Sequence, residues 1–236
     1  MKKTALVLRC CAPDMTSRNG FKWPGVGEEA IAPDWIKNTE CGNGLHGWLY
    51  GQGDHSSADY WQREGAKWLV IEVDESSIVM LGGKCKFPRG VVRFVGEKHE
   101  AAAYLIEHEL RAANVAVIGA SLTVGDAQTV MVGALGTATA GAFGTATAGY
   151  SGTATAGYSG TATAGAFGTA TAGDRGTATA GDSGTATAGD RGELRIRWYD
   201  NKANRYRTAV AYVGENGIEP NVPYRLNENH EFVRAE

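Results

Sequence analysis

One eight-residue unit, Gly-Thr-Ala-Thr-Ala-Gly-x-x, recurs seven times without a gap from residue 136 to 191, starting at Gly136, Gly144, Gly152, Gly160, Gly168, Gly176 and Gly184. Two looser units, 120–127 and 128–135, precede it in the same frame, and 192–199 follows in frame. An unbroken period of this length leaves few folds open. It is neither the three of collagen nor the seven of a coiled coil. The Thr-Ala-Thr-Ala core alternates β-branched with small residues, which suits a strand of four. Glycine on both sides marks the corners, where positive φ is expected. Strand, corner and strand at constant spacing describe the coil of a parallel β-solenoid. A flexible linker of the same composition would tolerate slippage of the frame, and there is none.

The imperfect units fix which side faces in. Where the perfect units carry alanine, the first two carry Leu122 and Val124, then Val130 and Val132, and the unit after the array carries Leu194 and Ile196. Its alternate positions are Glu193, Arg195 and Arg197. Because strand side chains alternate faces, alanine points inward and threonine outward. An alanine interior excludes water only when opposing strands lie close together, which favours a flattened coil of two octads over a triangular coil of three. In that coil Asp174, Arg175, Asp190 and Arg191 align on one edge, and Phe143, Tyr150, Tyr158 and Phe167 occupy corners.

The outward array is Thr137, Thr139, Thr145, Thr147, Thr153, Thr155, Thr161, Thr163, Thr169, Thr171, Thr177, Thr179, Thr185 and Thr187. Neighbours in it stand about 6.6 Å apart along a strand and about 4.8 Å apart from coil to coil. This Thr-x-Thr step resembles the octad-like repeats of ice-nucleation and ice-binding solenoids. That resemblance covers the repeat and implies a surface that binds ice or another ordered surface. Strand propensity and the solubility of an exposed face are the simpler account of threonine at these places, and the one the residues favour.

The excess of glycine among the 33 lies mostly in the repeat, and the large apolar side chains lie mainly before residue 112 and after residue 192. Three domains are expected: 1–112, an α+β domain; 113–191, the solenoid; and 192–236, a β-meander cap. Strands are expected at 6–8, 68–73, 78–81 and 91–95, and a helix at 98–113 that covers the open end of the solenoid. After the array, 193–199 and 206–213 alternate like a hairpin, and 220–234 completes the meander.

The net charge is −3, and no segment is basic enough for a nucleic-acid footprint. Arg9 breaks the apolar run after Lys3 too early for a secretion signal, and no stretch nears the roughly 20 apolar residues of a membrane span. Four cysteines without a C-x-x-C pair suit reduced thiols. A cytoplasmic protein with no membrane or nucleic-acid partner is therefore expected.

The most distinctive local sequence is Cys41-Gly42-Asn43-Gly44-Leu45-His46-Gly47, with Lys86-Phe87-Pro88-Arg89-Gly90 downstream. With the octads and the tail it resembles uncharacterised bacterial and phage proteins, in which a Cys-x-x-Gly-(Leu/Phe)-His domain leads into octapeptide repeats. In many of them a second cysteine follows the histidine by two residues; here that position is Trp48. Cys41, His46, His55 and Cys85 are zinc-compatible by type, but their spacing matches no standard site, and no metal or cofactor is expected. Arg9, Gly44-Leu45-His46 and Glu72 resemble the ordered elements of ADP-ribosyltransferase-like domains. That likeness implies a nicotinamide dinucleotide held by Arg9 or His46, with Glu72 steadying an oxocarbenium. The reading favoured by the residues is non-enzymatic: a structural, assembly or binding protein whose rigid solenoid displays a repetitive surface and supports a homo-oligomer. The alternatives are an ice- or surface-binding protein and a nucleotide-using enzyme.

Overall fold

In the computed structural model, which describes residues 3–113 and 115–235, the first unit is a sheet buried on both faces. Its elements in chain order are β1 (Thr4–Cys11), β2 (Glu29–Ile31), β3 (Leu45–Leu49), β4 (Lys67–Asp74), β5 (Val79–Met80), β6 (Cys85–Phe87), β7 (Arg89–Gly96) and the helix α1 (Lys98–His108). The strands form one antiparallel sheet in the order β2-β7-β4-β1-β3-β6-β5. The central β4 reads Trp68-Leu69-Val70-Ile71 with all four buried, the continuous apolar run of a strand covered on both sides. On one face Val70 neighbours Phe94, which stacks on Tyr104 of α1, and Leu105 packs there fully buried. On the other, Val7, Leu69 and Ile71 join Trp23, Ala30 and Phe87 in a second core cluster.

Two expectations change here. The helix ends at His108, short of residue 113, because Glu109 leaves helical geometry. The buried Glu109 carboxylate accepts from the Leu6 amide (3.2 Å) and forks with the Arg111 guanidinium (2.6 and 2.7 Å), a charge-assisted pairing that outweighs one more helical turn. Residues 45–49 form β3, although Gly47 within it and Gly44 just before it weaken any strand signal. Gly47 is needed because β1 crosses it closely: a Cβ there would lie 2.4 Å from Val7 Cγ1 and 2.7 Å from the Leu8 carbonyl oxygen.

The chain divides into two compact units, 1–118 and 119–236. The second is a parallel β-solenoid of about five turns. Its strands are β8 (Ser121–Thr123), β9 (Thr129–Met131), β10 (Thr137–Ala140), β11 (Thr145–Ala148), β12 (Thr153–Ala156), β13 (Thr161–Ala164), β14 (Thr169–Ala172), β15 (Thr177–Ala180), β16 (Thr185–Ala188) and β17 (Glu193–Asp200). Each pairs with the strand two octads away, Thr137 on Thr153 and Ala138 on Ala154, so one coil is two octads and the two sheets are flat opposing walls. Alanine fills the interior, from Ala138 at 0% exposure to Ala188 at 1%, and Leu194 and Ile196 close one end fully buried.

The corners differ from expectation in one respect. No glycine of the octads adopts positive φ. The second variable residue does so at every corner, from Ala127 and Leu135 through Phe143, Ser151, Ser159, Phe167, Arg175 and Ser183 to Arg191. Each corner in the array is a tight turn closed by a bond such as Gly144 N–H to the Gly141 carbonyl (3.1 Å). The octad glycines are there for proximity: a Cβ on Gly165 would lie 2.7 Å from the backbone of the adjacent coil.

The C-terminal strands are β18 (Arg205–Tyr212), β19 (Tyr224–Leu226) and β20 (Phe232–Arg234). They divide between the walls rather than forming one meander on the last coil. β18 returns antiparallel along β17 on one sheet, while β19 bridges Ala186 of β16 and carries β20 on the other. Tyr224, buried beside that bridge, accepts the Glu219 amide on its hydroxyl (2.9 Å).

Candidate functional site

Two places gather chemistry, one in each unit. In the solenoid the outward residues are in strict register, but the two walls are not equivalent. One carries Ser121/Thr123, Thr137/Thr139, Thr153/Thr155, Thr169/Thr171 and Thr185/Thr187, hydroxyls at every coil. The other begins with Thr129/Met131, continues through Thr145/Thr147, Thr161/Thr163 and Thr177/Thr179, and ends on Glu193/Arg195. That last pair is ion-paired at 2.9 Å. The threonines are exposed or half-buried because neighbours on the ladder shade one another. They offer rows of side chains that each carry a methyl and a hydroxyl group and no charge.

Along the edges the corner residues stack from coil to coil. Phe143 meets Tyr158 edge-on (5.5 Å between centroids), and Arg175 lies over Tyr158 (5.9 Å). On the opposite edge Tyr150 meets Phe167 (5.4 Å). Asp174 accepts the Asp190 amide (2.9 Å), and Asp190 pairs with Arg191 (3.5 Å), so Asp174, Arg175, Asp190 and Arg191 fall on the edge that also carries Phe143, while Asp182 lies on the edge of Phe167.

In the first unit, the face of the sheet opposite α1 holds a cavity of about 650 Å³. Arg9 enters it from the middle of β1. One terminal nitrogen donates to the His46 carbonyl (2.5 Å), the other to Ser17 Oγ (2.9 Å), and the guanidinium lies over the Trp23 ring at 4.9 Å. Ser17 Oγ also accepts from Trp23 Nε1 (2.6 Å). Arg9 Nε and His46 Nε2 are buried without a partner among the described residues. Burial works against the Arg9 charge, although an arginine in a protein stays protonated. Burial, followed by the positive charges of Lys84, Arg9 and Lys86, lowers the His46 pKa to about 4 and keeps the ring neutral.

The residues singled out from the sequence do not converge. Arg9 and His46 share the cavity. Glu72 does not join them: it lies opposite Leu6, and Arg9 lies opposite Leu69 an odd number of places along the strand, so their side chains leave opposite faces of the sheet. The Glu72 carboxylate pairs with Arg93 (2.6 Å). Of the zinc-compatible set, Cys41 is exposed on the cavity wall and His55 sits edge-on to Trp61. Cys85 lies in the core, where burial pushes its thiol up to about 12. Among the described residues no group of three or more His, Cys, Asp or Glu side chains is arranged to hold a metal.

Sequence reasoning missed Ser17 and Trp23, which orient Arg9, and it missed the role of Lys86. The Lys86 side chain is fully buried and donates to Asn38 Oδ1 (2.5 Å) and to the carbonyls of Glu40 (2.9 Å) and Gly42 (3.3 Å). It thereby fixes the loop that carries Cys41. No local signal pointed to this, since Lys86 stands between Lys84 and Arg89 in a short charged stretch and only the fold distinguishes the buried lysine from those neighbours.

By its fold this is a repeat protein: a β-solenoid of two-octad coils following a mostly β unit with one helix. A family model described as "Domain of unknown function (DUF7666)" matches residues 5–107. The curated relatives are ice nucleation proteins. That of Pseudomonas fluorescens is 38% identical over 105 residues, 44% of this chain and 8% of the relative. That of Xanthomonas campestris pv. translucens is 36% identical over 121 residues, 50% of this chain and 7% of the relative. That of Pseudomonas syringae is 37% identical over 103 residues, 43% and 9% respectively. The chain thus spans less than a tenth of the length of these relatives. No solved structure matches it. The relatives support the likeness of the octads to ice-nucleation solenoids. They also overturn the expected cytoplasmic location, which does not fit proteins named for nucleating ice. Four free thiols and the lack of a long apolar run, the grounds for that expectation, do not distinguish one side of a membrane from the other.

Proposed function

We propose that the solenoid binds ice or a comparably ordered surface through its threonine walls, and that the wall built on β8, β10, β12, β14 and β16 is the principal one. The reading rests on one observation: on that wall hydroxyls follow one another in register through every coil, whereas the other wall ends in Met131 and in the Glu193–Arg195 pair. Evenly spaced, uncharged methyl and hydroxyl groups on a rigid backbone hold water in a repeating pattern, while an ion pair orders it around a point. The names of the relatives support the same reading.

Freezing of dispersed droplets, together with ice-growth inhibition, tests it. The paired substitution Thr155→Lys and Thr171→Lys is expected to abolish activity on the principal wall. Thr163→Lys with Thr179→Lys on the other wall is expected to cost much less. Inactive native protein in both assays would end the proposal, and equal losses from the two pairs would end the ranking of the walls.

A second reading, assembly into a homo-oligomer, is favoured by the edges, where Phe143 is 63% and Phe167 57% exposed. Rings this exposed gain by being covered. Sedimentation across a range of concentrations tests it, and a monomer throughout would refute it.

A further inference from the structure

The cavity of the first unit has no part in the surface chemistry just proposed, yet it holds a buried charge that its own lining leaves unmatched. A guanidinium sits at its base, with no carboxylate partner among the described residues. Its two hydrogen bonds go to a carbonyl and a hydroxyl, both neutral, and the Nε donor has no partner among the described residues. A cation in such a place is costly unless something negative meets it.

The other charges around the cavity do not supply that counterion. Asp59 is held by Arg18 (2.7 Å to Nε), and Asp34 accepts from the Gly44 amide (3.0 Å) and from Asn43 Nδ2 (3.4 Å). Lys84 stands on the same wall, half-buried and without an ion pair among the described residues. The His46 ring, neutral beside them, adds no competing charge. Phe21, Trp23 and Tyr60 supply flat apolar wall. A volume of about 650 Å³ suits a small organic molecule rather than a lone ion.

We infer that this cavity binds a small molecule carrying an oxyanion, carboxylate or phosphate, joined to a planar ring, with the oxyanion held between Arg9 and Lys84 and the ring against the aromatic wall. The guanidinium fork matches two oxygens of either oxyanion, and the ammonium of Lys84 adds a point charge.

The test uses the full chain and three probes: ADP, benzoate and inorganic phosphate. ADP and benzoate distinguish a phosphate from a carboxylate source, and phosphate alone asks whether the ring is needed. Binding is followed by calorimetry, and location by alkylation of Cys41, the exposed thiol on the cavity wall. Cys10, Cys11 and Cys85 are buried, with thiols pushed up to about 12, 11 and 12, and do not compete for the reagent. ADP or benzoate is expected to bind more tightly than phosphate and to slow alkylation of Cys41. Lys84→Gln, on the cavity wall and outside the core, is expected to weaken that binding about fivefold, the worth of one partly exposed charge contact. Arg9→Met removes the anchor but risks the fold, so Lys84→Gln and the alkylation rate carry the decision. No binding by any probe overturns the inference. Binding that neither protects Cys41 nor responds to Lys84→Gln overturns it as well.

Discussion

The two units exclude water by opposite means. In the first, side chains of different shape interlock: Trp48 stacks on Trp68, and Phe87, Leu69 and Ile71 fill one face of a sheet whose other face lies under α1. In the second, one methyl group repeated in register closes the interior, and the backbones come so near that a single added carbon strikes the next coil. Complementarity of shape specifies the first and periodicity the second. Truncation should therefore damage one, and enlargement the other.

The largest effect is expected for Phe87→Ala. Removing a fully buried ring leaves a cavity and should cost the first unit about 3–5 kcal/mol, measured by denaturant unfolding. The matching test in the second unit is Ala162→Leu, which forces a larger side chain between Ala146 and Ala178 and should cost about 1–3 kcal/mol. Loss of amide protection should be confined to the solenoid. If Ala162→Leu is neutral or stabilising, the interior is looser than described and the contrast between the units fails.

A third test uses acid. His46 is neutral in the folded unit, with its pKa near 4 against an ordinary 6.5, so the unfolded chain binds more protons between those values. Its contribution is complete above pH 6.5, declines as the pH falls toward 4, and changes no further below that. Denaturation at pH 7 and pH 5 should show the first unit weakened at the lower pH, and less so in His46→Gln; equal sensitivity in the two proteins would remove His46 as the cause.

The smallest effect expected is a gain. Ser159 holds φ at +50°, a conformation that disfavours L-residues, so Ser159→Gly should stabilise the solenoid by about 0.5–1 kcal/mol, read as a higher unfolding midpoint. A loss of that size would mean that the Ser159 side chain matters more than its backbone angle.

The same contrast explains what the sequence made legible. Parity, the two-octad coil and the identity of the outward residues follow from a repeat in which Leu194 and Ile196 replace alanine in phase. The φ of the corners was misassigned because glycine is the usual bearer of positive φ, and here glycine is retained for close approach instead. In the first unit the apolar runs of β1, β4 and β7 stood out. β3 was hidden by Gly47 and the glycine before it, and α1 ends earlier than its sequence suggests because nothing local reports that Glu109 is claimed by the Leu6 amide. The cavity was half legible: Arg9 and His46 drew notice as residues, while their meeting depends on β1 and β3 being neighbours.

Because every rung joins residues sixteen apart, the array can gain or lose length only in even numbers of octads if its ends are to stay where they are. Excising a single octad would send β17 and its hairpin to the opposite wall and offer β19 the wrong strand. Duplication or slippage during replication would thus be tolerated in steps of 48 base pairs, three per residue, and penalised at 24.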